Sequence, residues 1–531
     1  RRKGSRGHIP PASSLRHLDR PFQPHLLSLV RQHPLVHRFN DPRSFTPSAF
    51  LPTPPEADQI ALSHYYSYSE DMDPTSSQSP SAVQTAQSVP NLRSSVFVDV
   101  DDRQGINKDW NKRIRTLNET IVRQRGAAES DDRLLEALQA KLDLVKDFVA
   151  TAKRYGEIII SELHLPVEKK TIPPVTKQAG VAGGEKYVYH GIFFKFAIDK
   201  SGLFHYNDEW AAKQAGAELR NLIALEAVGP VTVSFPLLVL VEYLGFRLVA
   251  VSILPVRGET TLVYGSRDGG KTVKTTNANI NGSMKQIGEA LNIKEHTVGR
   301  PPNTTNLYGP ADLEGHVGFD KRFYLLDFAR IFPAESPFLG EPEKSVFWRF
   351  LRPELVVKYP VPLSSDALSR FGRHNKVVHN AEVVQATTYL LEEVIPAFSE
   401  RLNRVRRPEF NKNKELEDFL LAEGIEDQSE LLALAERRAN KRSKKKRNRW
   451  KNEAEFYEYV VKEAHLEGIN IRHLGLVWRL LDATSVWKQV IMEEMLARTF
   501  KSILFAALRD TAKKEKSVAE SCYFRCARDL L

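Results

Sequence analysis

The apolar positions of this chain change their rhythm along its length, and each change marks a different kind of structure. Residues 1–95 show no sustained period. "FLPTPPEADQ" and "DPTSSQSPSAVQTAQSVP" are rich in Pro, Ser and Gln. Such segments bury too little apolar surface to offset chain entropy, so a disordered tail is expected, with a candidate short binding or phosphorylation motif at the Ser-Pro pair. From about residue 106 the spacing turns helical. In "DDRLLEALQAKLDLVKDFVATAKRYGEIIISEL", Leu134, Leu135, Leu138, Leu142, Val145 and Phe148 form one stripe, expected to be core, and Asp131 and Asp132 open it where the helix dipole favours anions. Residues 186–265 mix both periods. "KYVYHGIFFKFAID" alternates like strands, "DEWAAKQAGAELRNLIALEAVG" is a helix stopped at Gly229, and residues 237–254 are a hairpin. Residues 266–310 are polar and rich in Gly and Asn, a long loop around a short helix. "DLEGHVGFDKRFYLLDFARIFP" is a turn and strand, and "KSVFWRFLRPELVVKY" and "HNAEVVQATTYLLEEVIPAFSERLN" are helices. Beyond 411 the pattern is helical, ending in "WKQVIMEEMLARTFKSILFAALRD". The expected architecture is a tail (1–95), an α+β domain (96–405), a mainly α-helical domain (406–515) and a short C-terminal tail (516–531).

At 531 residues the chain is long enough for several such units. Its most apolar stretch, residues 231–251, is cut by Pro236, Glu242, Gly245 and Arg247, and no run reaches the ~20 apolar residues of a membrane span. The two cysteines, Cys522 and Cys526, make no disulfide framework, which points to a reducing compartment, and two ligands fall short of a metal site. There is no apolar signal core near the N-terminus. The first residue is Arg1 rather than methionine, as in a fragment of a longer protein.

Charge changes the picture more than composition does. The formal net charge is +10, and much of it is concentrated in "RRANKRSKKKRNRWK", residues 437–451, where ten of fifteen residues are Lys or Arg and no acid interrupts. Such a run repels itself and suits a polyanion. Lys441, Arg442, Lys444, Lys445, Lys446, Arg447 and Arg449 are the candidate phosphate contacts, and Trp450 is a candidate platform for an unpaired base. A nuclear-import signal or a charged linker would use the same residues.

A second chemistry is written in the order of three residues. Lys195 lies in a strand, Glu218 on the next helix, and Asp327 after the apolar strand "FYLL". A strand lysine, a helix glutamate and a cation-binding aspartate in this order are the parts with which kinases hold Mg-ATP. Against it, "AGVAGG" (179–184) is a weak glycine loop, and a His-Arg-Asp…Asn catalytic loop is absent. Asp312, Glu314, His316 and Asp320 show no obvious pairing of base and metal ligand, and fold analogy does not establish chemistry. The favoured structural alternative makes Asp327 a buried carboxylate paired with Arg330. In the same alternative His316 ties a turn to the backbone, Gly315 and Gly318 supply positive φ, and Asp320 pairs with Arg322. Farther on, Gly468 and Asn470 form a turn, with Arg472 and His473 as surface or capping groups.

Several stretches together resemble the Clu domain of the clustered-mitochondria family. They are "KDWNKRI", "YHGIFFKFAID", "VEYLGFRLVAVSILP" with "LVYGSRDGGKTV", "LEGHVGFDKRFYLLDFARIFPAE", and "EGINIRHLGLV" in the helical region that follows. They occur in the family's order over roughly residues 100–515, and their motif positions include Gly315, His316, Gly318, Asp320, Arg322, Asp327, Gly468, Asn470 and Arg472. The ubiquitin-like N-terminal region and the tetratricopeptide repeats of full-length members are not seen. The resemblance implies a non-enzymatic, cytoplasmic adaptor associated with RNA or the ribosome, linked to mitochondrial distribution or to messages for mitochondrial proteins, without cofactor or metal. A kinase-like fold using Mg-ATP, as a phosphotransferase or a pseudokinase, is the first alternative. A protein-interaction scaffold without nucleic acid is the second.

Overall fold

The computed structural model describes residues 109–126, 131–175, 184–230, 232–337, 343–405, 453–516 and 526. The N-terminal tail, most of the 179–184 glycine loop, Cys522 and the entire basic run 437–451, with Lys441, Arg442, Lys444, Lys445, Lys446, Arg447, Arg449 and Trp450, lie outside the described residues.

Two helices open the described chain, α1 (Trp110–Gly126) and α2 (Asp131–Ser161). Trp110 meets Phe148 edge-on at 5.3 Å, which locks α1 along α2. The expected stripe on α2 is only partly core. Val145 and Phe148 are buried, but Leu135 and Leu138 are 66% and 38% exposed. The buried face runs instead through Ala137, Leu144, Val145, Phe148, Ala152, Ile159 and Ile160, because the helix meets the sheet only along its C-terminal part.

That sheet is antiparallel, in the order β1-β2-β5-β4, from β1 (Lys186–Tyr189), β2 (Ile192–Phe196), β4 (Leu238–Tyr243) and β5 (Phe246–Ser252). Its period of two sorts the side chains. Val239, Val241, Leu248 and Ala250 face the core under α2, while Leu238, Leu240, Val249 and Val251 face the core under α3 (Asp208–Val228). Both faces are covered, which is why β4 and β5 are nearly continuously apolar in sequence. Helix α3 starts at Asn207, whose side chain accepts from the N–H groups of Glu209 and Trp210.

A second sheet follows, in the order β3-β11-β10-β6-β7, from β3 (Val233–Ser234), β6 (Leu262–Gly265), β7 (Lys274–Thr275), β10 (Glu314–Val317) and β11 (Phe323–Leu326). All its pairs are antiparallel except β3 with β11. Helix α4 (Ala278–Ala290) and the hairpin β8 (His296–Arg300) and β9 (Asn303–Leu307) occupy the segment expected as a long loop. The stretch expected as one helix at 344–359 divides into a 3-10 turn and α5 (Pro353–Lys358), since Pro353 fits the first helical turn and not an interior. Helices α6 (Lys376–Tyr389), α7 (Ile395–Asn403), α8 (Glu453–Leu466), α9 (Leu474–Leu480) and α10 (Val486–Glu515) complete the fold. The result is α+β followed by helices, as expected. The core under α3 continues without a break through Leu355, Leu390 and Phe398 into Phe456, Ile469, Leu474 and Trp487. No helix among the described residues is long and apolar enough to cross a membrane.

Candidate functional site

Lys195, Glu218 and Asp327 come together between the two sheets. Lys195 projects from β2 beside Val249 of β5, and its Nζ is 3.4 Å from Glu218 Oε2 on α3. The lysine side chain keeps 29% of its surface exposed and the glutamate 11%, so water reaches the pair from one side. On the other sheet, pairing of Glu314 with Leu326 places Asp327 just past the end of β11. Asp327 has φ 62° and ψ 60°, the left-handed region that a non-glycine residue seldom adopts. Helix α3 holds this unusual turn in place. Asn221, one turn beyond Glu218 and fully buried, donates from Nδ2 to the carbonyls of Phe328 and Ala329 at 3.0 Å each. One helix therefore positions both the partner of Lys195 and the backbone that presents Asp327.

The electrostatics bind these groups into a unit. Burial works against the Lys195 ammonium, but the carboxylates of Glu218, Asp327 and Glu314 outweigh it and raise its pKa above the ordinary lysine value. Burial, with Glu314 beside it, pushes Asp327 well above the carboxylate range. Burial raises Glu314 to about 8 despite an ion pair with Arg267 at 3.2 Å. Asp312, nearby, is also raised by burial. Its side chain keeps 35% exposure, and its Oδ1 is enclosed without a protein hydrogen-bond partner.

Several expectations for this stretch are corrected. Arg330 does not serve Asp327. It pairs with Asp366, lies 3.6 Å from Asp312, and stacks over the Phe371 ring. Burial works against the Asp366 charge, but Arg330, with His296 and the Ala311 N–H also donating to it, holds its pKa low. Asp320 does not pair with the Arg322 guanidinium. It binds Arg115 of α1 at 2.6 Å and the Tyr324 hydroxyl at 2.7 Å, while Arg322 reaches Glu119. His316 is no turn residue. It is fully buried in β10 between Thr261 Oγ1 and Glu314, and burial lowers its pKa to about 3. Gly315 and Gly318 take no positive φ, and Lys321 supplies the left-handed residue of the hairpin. Gly315 is needed for space, since a Cβ there would stand 2.7 Å from both Ile280 and Tyr264.

The scan against family models matches residues 109–338 to "Clustered mitochondria". The chain carries a Clu domain. Curated relatives agree. A clustered mitochondria protein homolog of Neurospora crassa is 28% identical over 263 residues, 47% of this chain and 19% of that protein. The homologs of Aspergillus clavatus and Schizosaccharomyces pombe are 28% and 26% identical, covering 48% and 45% of this chain. The matched region spans about a fifth of each of these relatives. A second family model, translation initiation factor eIF3 subunit 135, matches residues 459–527. No solved structure matches.

The Lys195–Glu218–Asp327 cluster lies within the Clu domain, and the helices matched to the translation-factor model are joined to the domain by polar contacts. Gly468 has φ +81°, as a turn residue should, and a Cβ there would come within 2.7 Å of the Leu355 backbone. Asn470 is buried and donates to the Phe350 carbonyl. Arg472 is exposed, as expected, yet its guanidinium reaches Glu335 of the Clu domain, whereas His473, expected at the surface, is buried 2.7 Å from the same carboxylate. Burial opposes the Glu335 charge, but Arg472 and His473 bring its pKa down to about 2. Glu335, Asp366, Asn221 and Arg267 escaped the sequence reading because each is defined by a partner distant in the chain. Only Asn221 left a local trace, a polar residue on the apolar side of a helix one turn after Glu218.

Proposed function

We propose that this chain is a Clu-domain adaptor of the cytoplasm that associates with RNA or the ribosome and serves mitochondrial distribution or messages for mitochondrial proteins. The observation that carries this reading is the match of residues 459–527 to a translation initiation factor subunit, in helices that share one core with the Clu domain. The basic run 437–451 lies in the segment leading into those helices. Its ten cations would release counterions from a phosphate backbone, and Trp450 would stack on an unpaired base.

The test is RNA binding by the full chain across a salt series, beside a variant with Lys444, Lys445, Lys446, Arg447 and Arg449 replaced by glutamine. Each cation that contacts a phosphate contributes roughly 0.7 to the salt slope on single-stranded RNA. The variant should bind more weakly and with a visibly flatter slope. Binding that ignores the neutralisation removes the basic run from the function and favours a protein-interaction scaffold.

A further inference from the structure

We propose that the part-exposed Lys195–Glu218–Asp327 cluster of the Clu domain binds a magnesium-bound polyphosphate, with Lys195 on the phosphate oxygens and Asp327, with Glu314 beside it, on the cation. This goes beyond the adaptor reading and does not depend on it.

Around Lys195 stand the carboxyl groups of Glu218, Glu314 and Asp327, while Arg267 pairs with Glu314 and Arg330 is shared between Asp366 and Asp312. A divalent cation at Asp327 and Glu314 would add positive charge where carboxyl groups crowd.

Geometry points the same way. Magnesium keeps most of its waters and asks for only one or two carboxylates, with ligand phosphates completing its shell. Glu314 pairs in register with Leu326, the residue before Asp327, so the two carboxyl groups lie at the same end of β10 and β11 and offer such a pair. Lys195 is held by Glu218 at 3.4 Å and is itself part-exposed, the state in which an ammonium can reach an incoming anion. Asp327 is fixed in a left-handed conformation by Asn221 rather than by any ion pair of its own with an arginine. Strain of this kind persists where the surroundings over-determine it, and it collects at ligand sites. Asp312 Oδ1, enclosed and without a protein partner, is a further acceptor for a water on the metal.

The ligand class is a polyphosphate with magnesium, because the cluster offers one part-exposed ammonium for phosphate and a carboxylate pair for metal. A nucleoside triphosphate and free triphosphate share that chemistry. The experiment is a calorimetric titration of the full chain with ATP, and separately with inorganic triphosphate, in magnesium and then in EDTA. It is repeated on Asp327→Asn, Lys195→Met and the glutamine variant of the basic run. Saturable, magnesium-dependent binding is expected. Asp327→Asn and Lys195→Met should each weaken it at least tenfold, and the basic-run variant should keep it. Asp327→Asn removes one of the crowded carboxylates without changing shape, so its thermal midpoint without ligand should equal or exceed that of the parent. That result separates loss of binding from loss of fold. If ATP binds and triphosphate does not, the nucleoside is recognised; if both bind alike, the phosphates are. Absence of magnesium-dependent binding by the parent overturns the proposal, as does binding that survives both Asp327→Asn and Lys195→Met or disappears with the basic run.

Discussion

Glu335 shows how one residue can tie two parts of the molecule together. It is almost wholly buried, and its charge is matched by Arg472 and His473 from the helical region. Its pKa lies at about 2 in the folded chain, against an ordinary 4.5. A folded-state pKa below the unfolded one gives stability that is present above about pH 4.5. That stability is lost as the pH falls through 4.5 towards 2. The contribution is about 3 kcal/mol, since each tenfold change in proton affinity is worth roughly 1.4 kcal/mol. Glu335→Gln should remove that acid-sensitive component from urea melts run between pH 5 and 3. It should also cost roughly 3 kcal/mol at pH 7, because the buried His473 and the guanidinium of Arg472 would lose their carboxylate partner. A melt at pH 7 unchanged by the substitution would show that the pair contributes no net stability.

At the scale of elements, helix α3 is the piece on which the Lys195–Asp327 cluster depends. It carries Glu218 to Lys195 and Asn221 to the backbone after Asp327. Asn221→Ala should cost about 2 kcal/mol, the sum of two buried hydrogen bonds of roughly 1 kcal/mol each. The measurement is a thermal or urea midpoint. The same variant should also weaken any magnesium-polyphosphate binding although it touches no ligand, because the Asp327 turn is released. Gly468→Ala tests a different joint. It adds a Cβ at positive φ, against the Leu355 backbone. Both effects oppose the folded state, so a midpoint lowered by several degrees is expected. These elements also show what could be read from sequence. The strand-helix-hairpin order and the residues Lys195, Glu218 and Asp327 were legible, because strand and helix periods place them locally. The partners of Asp327, Asp320 and Arg330 were not. Proximity in sequence suggested Arg330 and Arg322, whereas the β10–β11 register and α1 delivered Glu314 and Arg115 from elsewhere. The left-handed backbone at Asp327 left no trace either, since an aspartate after a strand ordinarily continues it.

At the scale of the whole molecule, the C-terminal helix α10 reaches back across the chain. Lys501 binds Glu242 at 2.8 Å, Ser502 binds Glu209, and Arg509 donates to the Gly245 carbonyl at the tip of the β4–β5 hairpin. A Cβ on Gly245 would stand 2.8 Å from the Phe505 carbonyl oxygen, so helix and hairpin meet backbone to backbone. At its other end α10 buries Trp487 against Phe456, within the core that includes Leu355 and Phe398. The region matched to the Clu model and the region matched to the translation-factor model therefore share apolar surface that neither covers alone. Domains usually meet through smaller, more polar interfaces and move relative to one another. Here a single cooperative transition is expected in calorimetry of residues 96–531. A chain ending at residue 405 should lose that transition and aggregate, because the faces of α5 and α7 that meet α8–α10 would be bared to water. If the shorter chain instead melts cooperatively at an unchanged midpoint, the two regions are independent. The chain would then hold two separate modules, each with its own cooperative transition.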